Sequence, residues 1–107
     1  MNKMFGTYRA PRKVLRFTIS GYERTDGELY TLTDHTLYKS KKSAAKAIAE
    51  AINRDIDCIN EARENNKKLP YITADKCMDG YLMSNFDDGD DRIEWRITQH
   101  VIDPLNI

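Results

Sequence analysis

Long apolar runs are missing from this chain: nothing in it approaches the ~18 consecutive apolar residues that a membrane-spanning helix needs. The stretch Met1-Asn2-Lys3-Met4-Phe5-Gly6 also lacks the apolar core of a secretory signal. Both absences lead us to expect a cytosolic protein with no membrane contact. Cysteine is scarce. Cys58 and Cys77, the two cysteines of the chain, build no disulfide framework, and in a reducing compartment both are expected as free thiols. Five glycines and three prolines leave no low-complexity tract or linker, and no internal repeat is present. The 107 residues are therefore expected to form one domain, large enough to bury roughly two thirds of its extended-chain surface.

Catalytic motifs are missing too. The chain has no phosphate-binding glycine loop, no Gly-x-Ser-x-Gly elbow and no His-Glu-x-x-His. His35 and His100 stand alone, and no two Cys or His residues have the close spacing of a zinc site. The acidic run near residue 90 matches neither half of a calcium-binding loop. No enzyme, metal or cofactor is expected.

Net charge is absent only in sum. Seventeen basic and seventeen acidic residues cancel, yet residues 1–46 hold ten Lys/Arg against four Asp/Glu, a net of +6. Residues 70–107 hold three against eight, a net of −5. A chain polarised in this way has placed its charge for contact.

Elements follow from periodicity. Residues 1–12, with Arg9, Arg12 and Pro11, read as a basic, partly ordered arm ahead of a single domain over 13–107. Leu15, Phe17 and Ile19 alternate with Arg16, Thr18 and Ser20, which predicts a half-buried strand. Thr25-Asp26-Gly27 turns it back into a second strand, giving a hairpin of 13–24 with 28–39. A three-residue loop would pair Leu15 with Leu37, Phe17 with His35, Ile19 with Thr33 and Tyr22 with Tyr30, and that register is expected because it matches apolar residues. Ala45, Ile48, Ile52, Ile56 and Ile59 fall at helical spacing. They predict a long helix from Ser43 to about Asn65, capped by Ser40 or Ser43. Leu69–Thr73 reads as a short strand. A second hairpin, 80–86 with 92–102, sets Met83 against Trp95 and Tyr81 against Ile97. The expected fold is α+β: one antiparallel sheet of four to five strands with one long helix on one face, in the order ββα(β)ββ.

Three groups of residues are candidate contact sites. The acidic one is Asp87, Asp88, Asp90 and Asp91, joined by Glu94, which would meet a basic protein surface. The second is the sheet face away from the helix, with Tyr22, Tyr30, Tyr38, Phe86, Arg92 and Arg96 as aromatic and arginine anchors. Leu32 and Leu82 would stand beside them, with Phe86 facing Arg92 and Leu82 facing Arg96. The third is basic: Arg9, Arg12, Lys13, Lys39, Lys41, Lys42 and Lys46, a phosphate or nucleic-acid surface at the arm and helix start. Three of those lysines open a helix against its dipole, a local rule broken as function often breaks it.

Together these features predict a small non-catalytic binding or inhibitory protein acting by protein–protein occlusion. The alternative is a nucleic-acid-binding module built on the basic residues. In general character, short, single-domain and charge-polarised, the chain resembles bacteriophage accessory proteins that block host or defence complexes, although no motif carries that likeness.

Overall fold

The computed structural model describes residues 13–86 and 89–103; the expected N-terminal arm lies outside them. Two long strands come first, β1 (Val14–Thr25) and β2 (Glu28–Tyr38). Helix α1 (Lys41–Glu61) follows, then short 3-10 turns at Asn65–Lys67 and Ala74–Cys77. Strands β3 (Tyr81–Ser84) and β4 (Arg92–Ile102) close the chain. The result is one open, antiparallel sheet in the order β2-β1-β4-β3 with one long helix against it, the α+β fold that the periodicity predicts.

Helix α1 begins where its cap is best. Ser40 sits in extended backbone and its Oγ accepts from the Ser43 amide at 3.0 Å, which satisfies one of the free amides at the helix start. The helix buries Ala44, Ala45, Ile48, Ala49, Ile52 and Ile56. Ile48, Ile52 and Ile56 are almost wholly removed from water, each contributing about 1.5–3 kcal/mol before entropy is counted. Phe17, Ile19, Ile93, Trp95 and Phe86 complete the core from the sheet side. The helix stops at Glu61, a turn earlier than expected, with Ala62 as its C-cap.

Both hairpin registers differ from the expected ones. Thr25 pairs with Glu28 and Ile19 with Asp34, so the loop is the two-residue Asp26-Gly27. Both residues have positive φ, 53° and 79°, which is the turn that Asp-Gly favours and that matches strand twist. Nearer the helix, the pairing shifts at a bulge, so that Phe17 meets Tyr38. Asp34 holds that bulge: its carboxylate accepts from the Thr36 amide at 2.8 Å and from the Tyr38 hydroxyl at 2.5 Å. The Tyr38 hydrogen bond, followed by those from Thr36 and against the effect of burial, keeps the Asp34 carboxyl below the usual carboxylate range. In the second hairpin Tyr81 pairs with Trp95 and Met83 with Ile93, two residues off the expected register but with the same faces inward. Asn85, at φ 55°, donates its amide to the Asp91 carbonyl at 2.9 Å and closes the loop.

Residues 69–73 form no strand. Their backbone is instead held by two helix side chains. Asn53 accepts from the Ile72 amide at 2.9 Å and donates to its carbonyl at 3.0 Å. Asn60 does the same for Leu69, at 2.8 and 2.9 Å. This segment leads to Cys77, which is buried, whereas Cys58 is exposed. Burial pushes the Cys77 thiol up, and the charge of Asp75 adds to it. One thiol is therefore expected to react rapidly with a disulfide reagent in the native protein and two in denaturant. Two fast native thiols would show that the Cys77 pocket opens.

Candidate functional site

Helix α1 covers only one side of the sheet. Strand alternation sends Phe17, Ile19, Ile93 and Trp95 to it and the even-numbered residues of β1 and β4 to the other side. Along these two central strands the partners are Arg16 with His100, Thr18 with Thr98, Ser20 with Arg96, Tyr22 with Glu94, and Arg24 with Arg92. Four arginines and one glutamate thus share the uncovered face, a net of +3 with His100 neutral. Hydroxyl residues fill the gaps between them.

Glu94 is the hub of this face. It accepts from Arg96 Nε at 2.9 Å and lies 3.9 Å from Arg92 Nη2. The Arg96 hydrogen bond first, then that of Tyr22 and the two positive charges, hold its carboxyl below the usual range against the opposing effect of burial. Only 17% of the Glu94 side chain is exposed, against 72% for Arg96 and 39% for Arg92. The carboxylate is consumed within the face while the guanidinium groups remain presented. Farther along, Thr18 Oγ1 and His100 Nε2 are 2.8 Å apart. Arg16 donates to the carbonyl of Leu15 at 2.8 Å, and Arg24 Nε donates to the Asp90 carbonyl at 3.3 Å.

The three sequence-derived groups fare differently. Of the aromatic and arginine anchors, Tyr22, Arg92 and Arg96 lie together on the uncovered face. Tyr38 and Phe86 do not: Phe86 is buried in the core and Tyr38 packs against it. Leu32, expected beside them, also packs on the core. Tyr30 pairs with Glu23 and belongs to the helix side, where it stays exposed. The corrections in β2 follow from the turn and the bulge. The two-residue loop moves β2 by one position relative to the expected register, and by three beyond the bulge, where Phe17 meets Tyr38 in place of His35, so its faces are exchanged throughout. Phe86 is displaced for another reason: β3 ends at Ser84, before it. Arg92 and Arg96 keep their face but not their partners, because Leu82 meets Glu94 and Ser84 meets Arg92.

The acidic group is divided. Asp87 and Asp88 lie outside the described residues, Asp90 is exposed, and Asp91 is 1% exposed, a buried residue of the loop base. Glu94 is engaged by arginines as described. In the basic group Arg9 and Arg12 lie outside the described residues, while Lys13, Lys39, Lys42 and Lys46 are exposed. Lys41 pairs with Asp79 at 3.0 Å, an exposed contact of little energetic weight. His35 is exposed within the bulge and does not face the core as expected, whereas His100 lies on the polar face that alternation predicts.

Two features escaped the sequence. Arg16 and Arg24 are visible in it, but their convergence with Arg92 and Arg96 needs the β1–β4 pairing, which leaves no local trace. A cavity of about 350 Å³ also opens on the helix side, lined by Glu23 and Asp55 above Ile59, Ala62 and Ile93. Burial, and then the charge of Glu23, raise the Asp55 carboxyl above its usual range. Among the described residues no three His, Cys, Asp or Glu side chains converge as metal ligands, and no helix is long and apolar enough to cross a membrane. No protein-family model, curated protein or solved structure matches the chain.

Proposed function

We propose that this is a non-catalytic binding protein of the cytosol that acts by occlusion, laying the uncovered face of its sheet over a macromolecular partner of negative charge. One observation carries the reading: the four arginines of β1 and β4 share a single face with one carboxylate, and that carboxylate is already neutralised among them. A sheet face that needs only to be wet requires alternating signs or neutral hydroxyls, and directly opposed like charges weaken it. The acidic loop has less behind it as a contact surface, because Asp91 is buried and Glu94 is turned to its own arginines. An inhibitory, phage-type role fits a protein that blocks by coverage.

The test is to place carboxylates at the centre of the face. Ser20→Glu with Thr98→Glu changes two exposed positions of β1 and β4 and is expected to reduce capture of partners from lysate, with or without nuclease, at least tenfold. Glu50→Lys on the exposed side of α1 should leave capture intact. Equal capture by the wild type and the Ser20/Thr98 variant would remove the sheet face from the mechanism.

A further inference from the structure

The arrangement of the cations on this face identifies its occupant more closely. They stand in rungs across β1 and β4: Arg24 with Arg92, Arg96 beside Ser20, and Arg16 with His100. Successive rungs are four residues apart, roughly 13 Å at the usual strand rise. The row therefore runs for roughly 26 Å along the two central strands.

Arg24 and Arg92 are direct cross-strand partners, an arrangement of like charges that destabilises a sheet. Within this rung Arg24 Nε donates to a backbone carbonyl, that of Asp90. Arg92 reaches Glu94 only at 3.9 Å, and its Nε is shielded from water with no hydrogen-bond partner among the described residues. An anion placed between the two guanidinium groups would relieve the repulsion. Planar guanidinium pairs suit phosphate oxygens, which they bind in a bidentate fashion.

The rest of the face separates an acidic protein from a nucleic acid. Stable protein interfaces have an apolar, aromatic core within a polar rim. Here the order is reversed. The centre holds Thr18, Ser20, Thr98 and the Arg–Glu network, and the large exposed apolar residues, Leu29 and Leu82, stand on the outer strands. Nucleic-acid interfaces are polar and strongly positive throughout. Tyr22, the cross-strand partner of Glu94, adds one flat ring between the first two rungs. A ring in that place can stack an unpaired base.

Resting on the binding role proposed above, we propose that the uncovered face binds single-stranded nucleic acid, with phosphates held by Arg16, Arg24, Arg92 and Arg96 and a base stacked on Tyr22. The site is distinct from the lysines of the helix start. The experiment is fluorescence anisotropy with labelled 20-nucleotide single strands of DNA and of RNA, at 50 and 200 mM salt. Four phosphate contacts predict that affinity falls about 50-fold across that range. Arg24→Gln with Arg92→Gln leaves two contacts and should reduce the fall to about sevenfold. Arg24→Gln alone, at an exposed position, should give an intermediate slope and guards against a misfolded double variant. Lys42→Gln with Lys46→Gln should leave the slope unchanged.

No binding of either strand at 50 mM salt would overturn the proposal, as would binding whose slope follows the lysines and ignores the arginines. Equal affinity for a duplex of the same length would overturn the single-strand assignment and the role of Tyr22. Should polyglutamate bind the face where both nucleic acids fail, the nucleic-acid assignment falls and the occluding face stands. If the Ser20/Thr98 variant also captures partners normally, both fall.

Discussion

Alanine at position 21 is expected to break the sheet at its centre. A Cβ built on Gly21 lies 1.7 Å from the carbonyl oxygen of Glu94, 2.8 Å from its carbonyl carbon and 3.0 Å from the Cα of Trp95. All three are backbone atoms, so no side chain can rotate away to make room. β1 and β4 must separate or shear instead, and these are the two strands that carry the longest ladder, from Val14–Ile102 to Arg24–Arg92. Overpacking a core costs about 1–3 kcal/mol even where side chains can adjust. The upper end of that range is the least expected here, and it is a large part of a domain stability of roughly 5–15 kcal/mol. Gly21→Ala should lower Tm by at least about 12 °C, at the ~4 °C or more per kcal/mol usual for domains of this size. Thermal unfolding followed by circular dichroism measures this directly. A Tm within about 3 °C of wild type would mean that the strands cross less closely than the structure shows. The same variant should disturb the arginine rungs on the uncovered face, because these depend on the β1–β4 register.

That register also explains what could be read in the sequence and what could not. The helix was legible because its period repeats over about four turns, from Ala45 to Ile59, and its cap is local. Strand existence and the parity of β1 and β4 were legible for the same reason: alternation is written residue by residue. The hairpin register was not. Matching Phe17 and Ile19 to β2 alone favours a three-residue loop, since the two-residue loop places Ile19 opposite Asp34. But β1 is a central strand. Ile19 meets Ile97 on its other side, and Asp34 has its own use in fixing the bulge through Thr36 and Tyr38. The turn chemistry of Asp26-Gly27 therefore prevails, and the apolar match in the hairpin is given up where β4 already provides one. Reading the hairpin as an isolated pair moved Tyr38 and Leu32 to the wrong face, and the longer assumed strand moved Phe86 with them.

The candidate site divides along the same line. Tyr22, Arg92 and Arg96 were identified from alternation alone, which holds wherever the strand is regular. Their assembly with Arg16 and Arg24 comes from strands separated by most of the chain. Pairing of that kind is set by the whole fold, and a long-range contact has no signature within either segment. The acidic tip divides for a different reason: composition does not distinguish an exposed aspartate, such as Asp90, from one folded into the loop base, as Asp91 is.

Residues 69–73 lead to the second large effect. Their apolar pattern suggests a strand, yet no sheet edge receives it. Asn53 and Asn60 each present a carboxamide to one backbone amide and one carbonyl, which imitates the hydrogen bonding of a neighbouring strand. Both side chains leave the same helix seven residues apart, two turns along one face. They hold Leu69 and Ile72 against the core, and with them the path into buried Cys77. Replacing both asparagines by leucine removes four hydrogen bonds and leaves partly buried backbone groups unsatisfied. At about 1 kcal/mol for each bond, and more where a group is stranded, the loss should reach about 4 kcal/mol. The loss is expected to be local before it is global. Hydrogen exchange at the amides of Leu69 and Ile72 should accelerate by orders of magnitude while the central amides of α1 stay protected, and Cys77 should become reactive in the native protein. Uniform acceleration across the sheet and helix would show instead that this segment belongs to the same cooperative unit as the core. Unchanged exchange at Leu69 and Ile72 would show that the carboxamides do not hold it. The uncovered face lies on the far side of the sheet from this latch, so the nucleic-acid binding proposed for it should survive the substitution at temperatures where the domain stays folded.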